Sequence, residues 1–220
     1  MSTPTQTGPR QPAASGAKAR QLIVLLHGYG ADGNDLFGLV PVLAPHFPHA
    51  AFVSPNAPFP CTMAGFGYEW FPLQDRSAAS IAAGVQMARP ILNAFLDAEI
   101  AAHGLDDSQV ALVGFSQGTM MSLDVGLRRR KALAGIVGYS GRLVPTGDLA
   151  AEIVSRPPVL MVHGDADPLV PVAAMQEAVA TLKAHGVDAE GYVRPGLPHS
   201  IDEGGLVLAQ AFLKRCLPHG

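Results

Sequence analysis

Apolar residues fall into short continuous runs, separated by longer segments in which apolar and polar positions alternate with a helical period. Runs of this kind indicate strands buried on both faces, as in a parallel sheet. The predicted strands are 21–27, 51–54, 110–115, 133–139, 159–163 and 192–194. The predicted helices are 77–103, 117–131, 172–185 and 203–216. Pro90 lies inside the first of these helices, where it should kink or split the helix.

The alternation of strands and helices predicts an α/β fold with a mainly parallel central sheet and helices on both faces. With 220 residues, 48% of them hydrophobic, the chain can bury one substantial core, and we expect residues 21–220 to form that domain. Residues 1–20 are rich in proline and in small and polar residues, without the apolar core of a signal peptide, so we expect a disordered leader. The proline- and aromatic-rich segment 54–75 has no clear period and predicts a long ordered loop.

Charge and cysteine content exclude several classes of partner. The net charge of −3 is spread along the chain and creates no field that would attract nucleic acid or an anionic membrane. The basic run 128–131 is interpreted as a solvated helix C-terminus. Polar residues interrupt the apolar region 81–102, so no membrane insertion is expected, and Cys61 and Cys216 lack the spacing of a zinc or disulfide site. We expect a cytoplasmic protein.

The sharpest motif is Gly114-Phe115-Ser116-Gln117-Gly118, which lies where a predicted strand meets a predicted helix. A serine at such a tight turn projects above the sheet, and the helix N-terminus beneath it offers free N–H groups to a developing negative charge. Ser116 is therefore the candidate nucleophile.

A serine hydroxyl needs a base to take its proton and an acid to orient that base. His199 follows the last predicted strand, and Asp165 and Asp167 both follow the strand 159–163. The chain order serine, acid, histidine is the order typical of α/β-hydrolases. Spacing alone separates the two aspartates weakly, so both are candidates for the acid.

Two other interpretations compete with this one. His163, Asp165 and Asp167, with His27, have donor types that suit a metal hydrolase, but a metal site leaves the serine turn unexplained, so no metal is expected. Gly28, Gly30 and Gly33 match the dinucleotide-binding glycine pattern, yet the next predicted strand, 51–54, ends without the acidic residue that holds the ribose. The glycine loop could instead present the N–H of Tyr29 to an oxyanion at Ser116.

Four ordered segments carry a resemblance over nearly everything after the leader. They begin at Leu26-His27-Gly28, Gly114-Phe115-Ser116, His163-Gly164-Asp165 and Gly196-Leu197-Pro198-His199. The chain resembles the acyl-protein thioesterase and carboxylesterase family of α/β-hydrolases, which also contains lysophospholipases.

The resemblance implies roles for particular residues. It implies Ser116 as nucleophile, Asp167 as acid and His199 as base, with oxyanion donors on the backbone of Tyr29 and Gln117. The Gln117 side chain is then expected to be incidental. It also implies a substrate-lining loop containing Phe66, Trp70 and Phe71, for which a purely structural role is equally compatible. Tyr29, Thr119 and Met120 depart from the pattern of the eukaryotic thioesterases, and Tyr29 could narrow the acyl channel.

The activity that this resemblance implies is hydrolysis of small carboxylic esters or thioesters through an acyl-enzyme, with no cofactor and no large lid domain. A dienelactone hydrolase or serine peptidase relative is the alternative enzyme, and a catalytically silent binding protein is the alternative of another class. The sequence leaves the acyl group, the leaving group and a homodimer open.

Overall fold

The computed structural model describes residues 7–61 and 63–218. Its main sheet has seven strands in the order β1-β3-β2-β6-β7-β8-β9, of which β1 is antiparallel to its neighbour and the others run parallel. The bounds are β1 Arg10–Gln11, β2 Gln21–Leu26, β3 Ala50–Val53, β6 Val110–Phe115, β7 Gly135–Tyr139, β8 Val159–Gly164 and β9 Ala189–Arg194. Phe59–Pro60 (β4) and Tyr68–Glu69 (β5) form a separate two-stranded sheet.

Helices cover both faces of the sheet. They are α1 Gly33–Phe37, α2 Val40–Leu43, α3 Ala78–His103, α4 Gln117–Gly126, α5 Leu149–Glu152, α6 Val172–Ala184 and α7 Glu203–Cys216. Two apolar clusters lie on the two faces: one packs α3, α4 and α6 against the sheet, and the other packs α1, α2 and α7. The predicted α/β-hydrolase architecture is confirmed, with every residue of β2 buried as expected for a central parallel strand.

The prediction of a disordered leader is wrong for residues 7–20. Arg10 and Gln11 pair with Val53 and Phe52 at the edge of the sheet, and Ala13 is buried in the core. The strand β1 consists of two polar residues and is held by its backbone pairing with β3. Such a strand leaves no apolar pattern in the sequence from which it could be predicted. Residues 1–6 lie outside the described residues.

Two predictions about α3 and α4 also need correction. Helix α3 is not split at Pro90, whose exposed position lets water hydrate the carbonyl that loses its donor. Helix α4 ends at Gly126, and the basic run after it is not simply solvated. Arg128 pairs with Asp124 and Glu152, and Arg129 pairs with Asp97 and Asp107.

No helix in the described ranges is long and apolar enough to cross a membrane.

Candidate active site

Ser116 occupies a strained turn between β6 and α4. Its backbone has φ 54° and ψ −114°, a conformation that non-glycine residues adopt rarely. Its N–H donates to Tyr139 O at the end of the neighbouring strand β7, at 2.9 Å. Gly118 permits the turn, because a Cβ there would lie 1.8 Å from Leu26 O. The first turn of α4 therefore packs directly against the end of β2, which leaves Ser116 at the carboxyl edge of the sheet.

His199 and Asp167 form a hydrogen-bonded pair at the same edge. His199 Nδ1 lies 2.7 Å from Asp167 Oδ2, and the side chain of Asp167 is fully buried while that of His199 is 14% exposed. Asp165, the competing aspartate, instead accepts from Gly196 N–H at 2.6 Å. Gly164 lets the His199 loop lie against the end of β8, because a Cβ there would be 1.9 Å from Leu197 O.

The other oxygen of Asp167 is held by the backbone. Its Oδ1 accepts from the N–H groups of Leu169 and Val170 at 2.8 and 2.9 Å. Burial alone would raise the pKa of Asp167, but these two N–H groups and the His199 imidazole outweigh it and lower the pKa below its ordinary value. Asp167 is thus an ionised carboxylate fixed in one orientation. It can only accept a hydrogen bond from His199, so His199 Nδ1 must carry the proton.

A second histidine contacts the same carboxylate, and the sequence had grouped it with Asp167 only as a candidate metal donor. His163 is buried at the end of β8, and its Nε2 lies 3.2 Å from Asp167 Oδ2 and 2.9 Å from Val170 O. Its position in a strand, four residues before Asp167, was the available signal. Because Val170 O can only accept, Nε2 carries a proton, which places a second donor beside Asp167.

The loop after β2 passes close to Ser116. A Cβ on Gly28 would lie 3.4 Å from Ser116 Cβ and 3.0 Å from the Phe115 ring. His27 fixes this loop from below: its Nδ1 is 2.7 Å from Gly28 O and its Nε2 accepts from Ala57 N–H at 2.9 Å. Burial lowers the pKa of His27, so this imidazole is neutral and structural.

Tyr29 and Gln117, the residues predicted to carry the oxyanion donors, line the same pocket as Ser116. Tyr29 follows Gly28 in the loop, and Gln117 is the first residue of α4, so its N–H has no partner within the helix. The Tyr29 hydroxyl is buried, and contact with the Cys61 side chain raises its pKa above the ordinary value. Tyr29 therefore stays neutral and supplies no general acid or base near neutral pH.

The Gln117 side chain has a structural role that the sequence did not indicate. It is 1% exposed, its Oε1 accepts from Trp70 N–H at 3.0 Å, and its Nε2 donates to Phe71 O at 2.8 Å. These two bonds join the start of α4 to the loop that precedes α3.

Of the three aromatic residues predicted to line the substrate site, Phe71 alone lines the pocket that contains Ser116. Trp70 is fully buried, and its Nε1 donates to His27 O at 3.0 Å, which makes it part of the scaffold below the glycine loop. Phe66 is 74% exposed and lies outside the pocket lining. The prediction of substrate contact is thus wrong for Trp70 and unsupported for Phe66, because residue type does not show which face of a loop a ring occupies.

A pocket of about 500 Å³ brings these groups together. Ser116, His199, Tyr29 and Gln117 line it. Apolar side chains make up much of the remaining wall, and charged groups lie among them; these wall residues include Phe71, Leu73, Ile81, Met120 and Leu169, and Asp35, Arg76 and Arg142. Met120, one of the departures from the thioesterase pattern, is a wall residue. A concave apolar site with a few convergent polar groups is typical of a small-molecule site.

The contacts bear on the two alternative interpretations of these motifs. Within residues 7–61 and 63–218, no group of three or more histidine, cysteine, aspartate or glutamate side chains is arranged to hold a metal ion. The glycine loop is engaged in local contacts: Gly28 faces Ser116, and Gly30 N–H donates to Tyr68 O at 2.9 Å. Asp32 caps the five-residue helix α1.

The chain is similar to esterases and thioesterases over nearly its whole length. Acyl-protein thioesterase 1 of Mycosarcoma maydis is 30% identical over 230 residues, which cover 93% of this chain and 94% of that protein. A protein of Oryza sativa subsp. japonica named a probable inactive carboxylesterase is 29% identical over 225 residues, 94% of this chain and 89% of that protein. The crystal structure of esterase PE8 is 46% identical with a TM-score of 0.92, and covers 96% of this chain and 99% of that chain.

A sequence model of the phospholipase/carboxylesterase family matches residues 12–217, which contain Ser116, Asp167 and His199. The chain belongs to the phospholipase/carboxylesterase family of α/β-hydrolases.

Proposed function

We propose that the protein hydrolyses carboxylic esters and thioesters by acyl transfer, with Ser116 as nucleophile, His199 as general base and Asp167 as orienting acid. One observation supports this most strongly: the strained Ser116 shares a pocket with His199, whose Nδ1 is held by the buried Asp167 carboxylate. Because Asp167 is ionised, Nδ1 carries the proton of the neutral imidazole, and Nε2 is left free to accept one.

In the first half-reaction, Ser116 Oγ attacks the carbonyl carbon as its proton passes to His199 Nε2. The carbonyl oxygen becomes an oxyanion, which the N–H groups of Tyr29 and Gln117 stabilise. The tetrahedral intermediate collapses, the bond to the leaving alcohol or thiol breaks, and His199 returns the proton to that leaving group. An acyl ester on Ser116 remains.

In the second half-reaction, water attacks the same carbonyl carbon and gives its proton to His199. The new oxyanion is stabilised in the same place, and its collapse releases the carboxylic acid while Ser116 regains the proton. Water is the second substrate, and the side chains of Ser116 and His199 carry out every proton transfer, so the reaction requires no cofactor.

The pocket supports a limited range of substrates. Its volume of about 500 Å³ and its apolar wall suit a short or medium acyl chain. Cys61 and Cys216 are both free thiols, which fits a reducing compartment, and we place the protein in the cytoplasm.

Labelling with a fluorophosphonate probe tests the function, because only an activated serine reacts. We expect the wild-type protein to be labelled, and Ser116→Ala to lose both labelling and esterase activity, the latter by roughly 10³-fold or more. Ser200→Ala, a change at an exposed serine next to His199, is the matched control and should keep both.

The labelling result also separates an enzyme from a silent binding protein. A folded wild-type protein that is neither labelled nor active would establish the silent alternative. Near-wild-type turnover in folded Ser116→Ala would overturn the nucleophile. A panel of p-nitrophenyl esters and matching thioesters of increasing acyl length then defines the acyl range.

A further inference from the structure

Most half-buried arginines of this protein are neutralised by carboxylates. The half-buried arginines with a carboxylate partner are Arg89, Arg128, Arg129 and Arg194. Arg142 is also half-buried, yet no hydrogen bond or ion pair joins its side chain to the described part of the chain. A guanidinium that has lost part of its hydration without gaining an acceptor is costly unless a ligand supplies one.

The backbone around Arg142 is fixed against Ser116. Ser140, two residues before it, has φ 46°, a second strained non-glycine residue at the end of a strand next to β6. A Cβ on Gly141 would lie 3.1 Å from Ser116 O and 2.4 Å from Thr119 Cβ. Strained residues concentrate at functional sites, where the surroundings hold them in place. Arg142 therefore starts from a rigid position beside the proposed nucleophile.

The other end of the same segment is also anchored. Thr146 Oγ1 lies 2.8 Å from a nitrogen of Arg89 and 2.8 Å from a nitrogen of Arg128. These two arginines belong to the ion-paired cluster around Asp124, which is 1% exposed. The backbone that carries Arg142 is therefore anchored on both sides, at Gly141 and at Thr146, which restricts where the Arg142 side chain can lie.

Arg142 lies where two cavities meet. It lines the catalytic pocket, and it also lines a neighbouring cavity of about 510 Å³ between the start of α3, the segment after β7 and α6. Asp35 is the acidic residue on the described wall of the first cavity and Glu177 that of the second, and neither forms an ion pair with Arg142. Arg76, exposed and likewise without a partner among the described residues, adds a second cation to the catalytic pocket.

We propose that the substrate carries an anionic group, a carboxylate or a phosphate, that the Arg142 guanidinium binds at the wall of the catalytic pocket. This rests on the ester hydrolysis proposed above and specifies its substrate class. Guanidinium binds carboxylate and phosphate oxygens through two parallel N–H donors, and such charge-assisted bonds are the strong ones in a partly buried site. Arg142 thereby determines specificity, while Arg76 contributes only a screened attraction at the rim.

Two pairs of esters test the proposal, each with an anionic member and a neutral one. For an anion on the acyl half, the p-nitrophenyl monoester of adipic acid is compared with p-nitrophenyl hexanoate. For an anion on the leaving group, 1-acetylglycerol 3-phosphate is compared with 1-acetylglycerol. The wild-type protein should favour the anionic member of at least one pair in kcat/KM, and the pair that shows the preference tells whether the site accepts a carboxylate on the acyl half or a phosphate on the leaving group.

Variants of Arg142 then show whether the Arg142 guanidinium causes the preference for the anionic ester. Arg142→Gln should lower kcat/KM for the favoured anionic ester by roughly 10- to 100-fold, the range of a charged hydrogen bond, and change the neutral ester less than about threefold. Arg142→Lys keeps the charge without the paired donors and should restore the preference in part. Arg130→Gln, a change at an exposed arginine outside the pocket, is the matched control and should leave both esters unaffected.

The outcomes are distinct. A wild-type protein without preference in either pair overturns the proposal, and so does a preference that survives in Arg142→Gln. Equal losses on anionic and neutral esters also overturn it, since they indicate distortion of the site. Fluorophosphonate labelling of Arg142→Gln at the wild-type rate shows that the variant is folded, and hydrolysis of the neutral esters shows that the proposed function holds whichever way the anion result falls.

Discussion

The carboxylate of Asp167 illustrates how two adjacent acids acquire different chemistry. Asp165 and Asp167 follow the same strand, but Asp167 is buried and holds His199 Nδ1, whereas Asp165 holds the backbone of Gly196. The difference arises from one turn of chain, in which the N–H groups of Leu169 and Val170 fix the orientation of Asp167.

Replacing each aspartate by asparagine should separate the two. In Asp167→Asn the oxygen that accepts from Leu169 and Val170 is retained, so the amide NH₂ faces His199 Nδ1. A donor there favours the wrong imidazole tautomer, and we expect turnover of a short ester to fall by roughly 10³-fold or more. Asp165→Asn keeps an acceptor for Gly196 N–H and should stay within about fivefold of wild type.

Thermal unfolding of both variants, measured in parallel, provides the control. A comparable loss of turnover in Asp165→Asn with no change in its melting temperature would reverse the assignment. Equal activity of Asp167→Asn and the wild type would remove Asp167 from the mechanism.

At the scale of elements, the contact between the start of α4 and the loop that contains Trp70 and Phe71 depends on the side chain of Gln117. Gln117 satisfies a backbone donor and a backbone acceptor in the interior, those of Trp70 and Phe71. Phe71 is a wall residue of the pocket, so the hydrogen bonds of Gln117 also help to fix the shape of that pocket.

Gln117→Ala should therefore affect stability and binding more than chemistry. The variant keeps the backbone N–H proposed as oxyanion donor, so kcat for a short ester should change less than about fivefold. Two buried backbone groups lose their partners, and the free energy of unfolding should fall by about 2–4 kcal/mol, with KM raised as the wall at Phe71 loosens. Urea unfolding and steady-state kinetics measure these quantities. A loss of kcat in the hundreds without destabilisation would instead show that the side chain itself is the donor.

The ion pairs between α3 and α4 lead to a second prediction, which concerns how firmly these helices are held together. Asp124 is 1% exposed and pairs with Arg89 and Arg128, so Asp124→Asn leaves two partly buried cations poorly compensated. We expect the variant to lose about 2–4 kcal/mol of unfolding free energy.

Glu190→Gln is the matched control, because its pair with Arg215 is more exposed, with side chains 35% and 57% accessible. It should cost less than about 1 kcal/mol in urea unfolding. Similar losses in the two variants would show that burial does not set the strength of these pairs.

For the molecule as a whole, the sequence predicted what periodicity and motif spacing encode. The central strands and the last helix, 203–216, were predicted because continuous apolar runs and helical periods arise directly from burial. Ser116 and His199 could be singled out as candidates because their chain order and position after strands are local properties, and the structure brings both to one pocket.

What the sequence did not predict depends on contacts between distant segments. The bridge from Gln117 to Trp70 and Phe71 and the position of Arg142 between two cavities each arise from segments that meet only in the folded chain. Phe66 and Phe71 are the same residue type in one loop, and only the fold decides that Phe71 lines the pocket while Phe66 is exposed.

The two-residue strand β1 has a consequence for how this chain can be handled. It covers the outer edge of β3, whose backbone N–H and C=O groups would otherwise be free to pair with another molecule. A shortened chain that begins at Gln21, the boundary suggested by the apolar pattern, would uncover that edge and invite strand exchange or aggregation during expression. Because Arg10 and Gln11 cover this edge, fusion partners are best attached upstream of them.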